Sequence, residues 1–277
     1  MTIVVTGATG HLGRLAIESL LAKGIPAADI VGIGRRVEKL DGLGITVTSA
    51  SYDDPASLAD AFAGADKVLF ISGSEVGKRV RQHRNVVDAA KNAGVRLIAY
   101  TSIPYADTTD MKLAAEHTAT ERMIAESGVP HTFLRNSWYI ENYNVGQAIE
   151  HGIFGAAGDG KISAAPRADY AEAAASVLAG DGHEGKVYEL GGDPFTLAEL
   201  AAEISRQSGK PVAYTNLTEE KYTEFLVGVG VPAPYAATLA DSDRAAARGA
   251  LQVPTKDMET LLGRPVTPLA EEIKAAL

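Results

Sequence analysis

The chain has 277 residues, 46% of them hydrophobic and 22% charged, with a formal net charge of -9. This composition is ordinary for a folded globular protein and excludes disordered and fibrous classes. The acidic balance argues against a nucleic-acid or anionic-membrane surface, which needs clustered Lys and Arg. Cysteine is absent, so there is no disulfide framework, thiolate nucleophile or cysteine-held zinc or iron–sulfur cluster, and the cytoplasm is the expected compartment. The first residues run into an apolar strand, "TIVVTG", with no basic leader, and no later apolar run approaches the roughly 18 residues of a membrane span.

In chain order, "TIVVT" is followed by the amphipathic "LGRLAIESLLAKG", then by "DIVGIG", "ITVTSA", "PASLADAFAG", "KVLFIS", "VRQHRNVVDAAKNAG", "RLIAYTS", "LAAEHTATERMIAESG" and "HTFLRN". Strands of about five residues separated by helices predict βαβ units, hence an α/β fold with a parallel, doubly wound sheet. After Arg135 the rhythm changes. "HGIFGAAGDGKISAAP" is glycine-rich and loop-like, "ADYAEAAASVLAG" reads as a helix, and beyond "KVYELGG" the chain is mostly helical. The expected organisation is a large domain over residues 1–150, its sheet completed within about 151–192, and a smaller, mostly helical C-terminal region over 193–277. That region would lie over the C-terminal edge of the sheet, where open α/β folds hold their ligands.

In "TGATGHLGRLA", Gly7, Gly10 and Gly13 follow a strand and open a helix. A first glycine permits the tight turn, a second lets backbone amides approach a pyrophosphate, and a third lets helix and strand pack closely. Glycines serving only a tight turn are the plainer alternative. At the end of the second strand, "GIGRRVEK" carries Arg35 and Arg36 and no acid. An acid there would accept from the ribose 2′-hydroxyl of NAD, whereas arginine suits the 2′-phosphate of NADPH. Two solvated loop arginines are the other reading. Tyr52 and Asp53 stand where an adenine packs or where the surface simply turns. Ser72, Gly73 and Ser74 at the end of the fourth strand, and Thr101 and Ser102 at the end of the fifth, complete one edge.

Many proteins of this architecture reduce carbonyls with a Tyr-x-x-x-Lys pair on the fifth helix. No tyrosine in the chain has lysine four residues on; Leu113 and His117 stand at that spacing, with Glu121 one turn further. His117 is a candidate catalytic or ribose-binding residue with Glu121 in reach at i+4, or else a helix-face histidine without a chemical role. Without the usual proton donor, a quinone is the acceptor best served, because it takes a hydride to give a delocalised, weakly basic phenolate. "LRNSWYIENYN" offers Trp138, Tyr139 and Tyr143 as packing surfaces and Asn136 and Asn142 as amides; Tyr139 is the second catalytic candidate.

"VTGATGHLG", "SGSEVGKRVRQHRNVVDAAKNAGV", "LAAEHTATE", "LRNSWYIENY" and "GAAGDGKI" resemble the NmrA-like atypical short-chain dehydrogenases, most closely the bacterial type 2 NAD(P)H:quinone oxidoreductases. The resemblance implies a Rossmann-like domain with a small C-terminal domain, NADPH as cofactor, no flavin and two-electron reduction of quinones. It places the dinucleotide on Gly7, Thr9, Gly10, His11, Leu12 and Gly13, on Arg35, on Ser72, Gly73 and Ser74, and on the loop bearing Asn136, Ser137, Trp138, Tyr139 and Asn142. Thr101 falls on its nicotinamide side. The implied partner is a small quinone or similar flat acceptor, for a monomer or homodimer that binds neither nucleic acid nor membrane. Reduction of triphenylmethane-type dyes, and a non-catalytic role as a dinucleotide sensor, are the alternatives.

Overall fold

The computed structural model describes residues 1–277. Its strands are β1 (Ile3–Val5), β2 (Ile30–Gly34), β3 (Thr46–Ser49), β4 (Lys67–Phe70), β5 (Leu97–Ser102), β6 (His131–Asn136), β7 (Trp138–Tyr139), β8 (Ile153–Gly155), β9 (Ala164–Ala165), β10 (Val187–Leu190) and β11 (Tyr214–Asn216). Seven of them form one sheet in the order β3-β2-β1-β4-β5-β6-β10, every neighbouring pair parallel. The doubly wound, Rossmann-like sheet expected from the alternation of strands and helices is therefore present. Its strand order reverses between β1 and β4, the switch point at which such sheets open a crevice.

Side-chain alternation in the strands divides the core. Ile3 and Val5 of β1, with Leu69, Leu97, Ala99 and Leu134, belong to one apolar cluster; Val4, with Val68, Phe70, Ile98, Tyr100 and Phe133, belongs to the other. Both faces of β1 are buried, which is why it reads as an unbroken aliphatic run. The edge strand β3 is Thr-Val-Thr-Ser and mostly exposed, as an unpaired edge tolerates.

The helices are α1 (His11–Ala22), α2 (Pro55–Ala61), α3 (Arg79–Asn92), α4 (Ala114–Ser127), α5 (Val145–His151), α6 (Arg167–Ala179), α7 (Leu197–Ser208), α8 (Glu219–Gly228), α9 (Ala233–Ala246), α10 (Lys256–Leu262) and α11 (Leu269–Ala276). Residues of α1, α6 and α10 fill the first cluster, and residues of α2, α3 and α4 the second. None of the helices is long and apolar enough to cross a membrane.

A third cluster lies under the covering unit and joins Ile140, Ala148, Leu197, Leu200, Ile204, Ala245 and Ile273 to Ile103, Ala106 and Met111 from the β5–α4 connection and to Ala114 at the start of α4. The packing units interleave along the chain. The β5–α4 connection serves the covering unit, while Met258, Leu261 and Leu262 of α10 return to the first cluster. The seventh strand, β10, lies within the segment 151–192, and the helices beyond it share their contacts between the two units.

Candidate functional site

The chain leaves β1 and turns at Gly7, whose φ is +59°, a region costly for any residue bearing a Cβ. Helix α1 then starts so close beneath the turn that a Cβ on Gly13 would lie 2.4 Å from the Gly7 carbonyl oxygen. The amides of Thr9, His11, Leu12 and Gly13 have no backbone acceptor, and the helix has no side-chain cap. Open donors and the positive end of a helix therefore face outward together, an arrangement that suits a diphosphate.

Around this turn the ends of β1, β2 and β4 enclose a cleft of about 320 Å³. Of the residues expected from the sequence, Gly7, Thr9, Gly10, Arg35, Ser72, Gly73 and Ser74 meet there, joined by Arg36, Tyr52, Glu75 and Gln82. His11 is exposed at the mouth of α1, Leu12 is turned into the first core cluster, and Gly13 lies beneath the turn. Tyr52 is anchored rather than free: its hydroxyl donates to the Ile71 carbonyl at 2.7 Å and lies against the Thr6 hydroxyl. Asp53 is held by Gln82 Nε2 at 3.0 Å and by Arg81. The Arg35 side chain is 69% exposed, with Nη1 3.5 Å from Glu75 Oε1. Lys78 donates to Glu75 at 2.9 Å, and its hydrogen bond, with that of Gln82, holds the Glu75 carboxyl below the ordinary range.

Along the same edge, over β5, β6 and β10, the polar groups are buried. Thr101 Oγ1 accepts from the Ser72 amide at 2.9 Å, tying the end of β5 to the cleft. Ser102 Oγ and Asn136 Oδ1 are buried without a hydrogen-bond partner, and Asn136 Nδ2 donates to the Tyr139 hydroxyl at 3.2 Å. The Arg167 guanidinium lies 4.8 Å over the Tyr139 ring and donates to Asn142 Oδ1 at 2.8 Å. The Ser137 hydroxyl donates to the Leu251 carbonyl at 2.8 Å. Trp138 packs against the third cluster. These residues form a second group beside the cleft and do not line it.

The pair expected from the spacing of His117 and Glu121 does not form. Glu121 is claimed by Arg135, which grips both of its oxygens at 3.0 and 2.7 Å. A charged, bidentate partner outcompetes a neutral imidazole for a buried carboxylate. His117 is 5% exposed, and its Nδ1 shares a 2.9 Å hydrogen bond with the Tyr100 hydroxyl. Burial, then the nearby Arg79 charge, push its pKa well below the usual histidine range, so the ring is neutral. Arg135 also reaches Asp107 at 2.8 Å and Glu189 at 3.1 Å.

Sequence reasoning passed over Glu75, Gln82 and His83. The only signal for them was position: they follow the Ser-Gly-Ser turn within one short segment, and nothing in their spacing shows which side chains point at the turn.

A seven-stranded parallel sheet with a glycine turn and an open helix end at its switch point defines the class: a Rossmann-like α/β protein. Residues 1–252 match the model of the NmrA-like family, and the chain belongs to that family. It is 54% identical to quinone oxidoreductase 2 of Escherichia coli (strain K12), covering 98% of this chain and 97% of that protein. The crystal structure of the NADPH-dependent quinone oxidoreductase from E. coli complexed with NADPH superposes with a TM-score of 0.95 at 52% identity, covering 99% of each chain. The Citrobacter sp. triphenylmethane reductase complexed with NADP(H) superposes with a TM-score of 0.93 at 42% identity over 100% of each chain.

Proposed function

We propose that this chain is an NADPH-dependent oxidoreductase that reduces quinones by two-electron hydride transfer without a flavin. The observation that carries the cofactor reading is the cleft itself. Open amides at the start of α1 stand beside Arg35 and Arg36, with no acid at the end of β2 to receive a 2′-hydroxyl. The near full-length likeness to the E. coli quinone oxidoreductase supports the acceptor.

In this reading Gly7 and Gly10 form the tight turn against the diphosphate, and Thr9, His11, Leu12 and Gly13 take it through open backbone donors. Arg35 leaves Glu75 to bind the 2′-phosphate, and Ser72, Gly73 and Ser74 form the close wall along the middle of the dinucleotide. Thr101, Asn136, Ser137, Trp138, Tyr139 and Asn142 shape the nicotinamide end, where the orphaned Ser102 Oγ and Asn136 Oδ1 offer hydrogen bonds to a ligand. The reduced nicotinamide, when bound, supplies the hydride. The residues around it orient the acceptor and exclude water, and they need not supply a strong acid, because the reduced quinone spreads its charge. Tyr139, fixed by Asn136 and Arg167, serves as an orienting surface. His117, buried on Tyr100, supports the helix. The net negative charge and the absence of cysteine support a small-molecule partner and a cytoplasmic setting.

The test is NADPH oxidation by the purified protein with a small benzoquinone, against enzyme-free and NADH controls, with a triphenylmethane dye in a parallel arm. Saturable turnover favouring NADPH is expected. Tight cofactor binding without turnover of any acceptor would overturn the enzyme reading in favour of a sensor.

A further inference from the structure

His83 does not line the cleft, yet it reaches its wall from inside. It projects from α3 into the second apolar cluster at 0% exposure, its ring packed edge-on against Phe70 at a centroid distance of 4.9 Å and against Tyr100 at 5.9 Å. Its Nε2 lies 2.9 Å from the Gly73 amide. A backbone N–H can only donate, so Nε2 carries a lone pair and Nδ1 carries the proton. Nδ1 then donates to Thr120 Oγ1 at 2.8 Å, and the Thr120 hydroxyl donates to the Glu116 carbonyl at 2.8 Å. The direction of every bond in this chain follows from the one donor that cannot reverse.

The rest of the turn is held in the same way. The Ser72 amide donates to Thr101, the Gly73 carbonyl accepts from Arg79 Nε, and the Gly77 amide donates to Glu116 Oε1 at 3.0 Å. Among these holds, His83 alone fixes the amide at the middle of the turn. We propose that His83 is a positioning residue for the dinucleotide: as a neutral acceptor beneath the sheet edge it locks Gly73, and with it the cleft wall that the cofactor must pass. Burial and the nearby Arg79 hold its pKa at about 3, so the acceptor persists across the working range of pH. This inference rests on the dinucleotide reading of the cleft.

The experiment compares His83→Phe, which keeps the ring and its packing but has no acceptor, with His83→Gln, whose Oε1 reaches the place of Nε2. NADPH affinity is measured by calorimetry, folding by thermal denaturation, and the turn by amide hydrogen exchange over residues 70–76 in the free protein. The Phe variant is expected to stay folded, to exchange faster at the turn and to bind NADPH about tenfold more weakly, with Gln restoring most of both. Thr120→Val, which removes the acceptor of the Nδ1–H and so loosens the ring, is expected to shift both in the same direction by less. Wild-type exchange at the turn in a folded Phe variant would overturn the proposal whether or not NADPH binds. So would wild-type NADPH affinity in that variant. Failure of the wild-type protein itself to bind NADPH would overturn the cofactor reading and, with it, the positioning role.

Discussion

The two halves of the strand edge follow opposite plans. Over β1, β2 and β4, donors are left open: amides at the start of α1 lack acceptors, and Arg35 is 69% exposed with only a 3.5 Å contact to Glu75. Over β5, β6 and β10, charges are satisfied by one another, with buried Arg135 held by buried Glu121, half-buried Glu189 and exposed Asp107. The open half can bind tightly only when a ligand brings the missing negative charge. The closed half is ordered before any ligand arrives, which is how a site whose task is orientation is best built.

The largest effect should come from breaking the closed half. Arg135→Met strands Glu121 and Glu189 in a buried setting, and burial already raises the Glu189 carboxyl. Urea denaturation should show a loss of about 3 kcal/mol or more, whereas an unchanged midpoint would show the network to be dispensable. Arg35→Glu breaks the open half instead. The ratio of NADPH to NADH efficiency should fall by about two orders of magnitude with little change in stability, and a constant ratio would remove Arg35 from cofactor selection.

A third change asks whether burial of a charge without a cationic partner behaves differently from the Arg135 network. Asp243 accepts from the Ala156 amide at 2.9 Å, and burial pushes its carboxyl from 3.8 up to about 6. The folded protein therefore holds this proton more tightly than the unfolded chain. Its contribution is fully present below pH 3.8 and is lost as pH rises through about 6. Asp243→Asn keeps an acceptor without the charge, so its advantage in thermal stability over the wild type should grow across that window to about 3 kcal/mol. A pH-independent difference would contradict the assignment. The smallest effect is expected from His117→Phe, with kcat within about twofold of wild type and a stability loss of about 1 kcal/mol. A tenfold fall in kcat at unchanged NADPH affinity would give the imidazole a direct part in the reaction.

How legible each half was follows from the same contrast. The open half is made of short runs of neighbouring residues at strand ends, with much of its chemistry carried by backbone and by small side chains. "TGATGHLG", "GRR" and "SGS" therefore announced the cleft and the order in which the chain lines it. The closed half is assembled from residues far apart in the chain. Spacing on one helix paired His117 with Glu121, but Arg135 arrives from β6 and takes the carboxylate, leaving His117 to Tyr100. His83 was invisible for the same reason: a histidine on an apolar helix face says nothing of which amide lies above it.

The periodicities of two and 3.6 residues, and the glycines a turn cannot do without, are local properties, and through them the sequence by itself determined the parallel sheet, its helices and the place of its cleft. Only the tertiary structure decided which buried donors and acceptors are matched across β4, β5, β6 and α4. In a low-dielectric interior each such group takes the strongest partner that packing brings within reach, and that competition cannot be judged from neighbours along the chain.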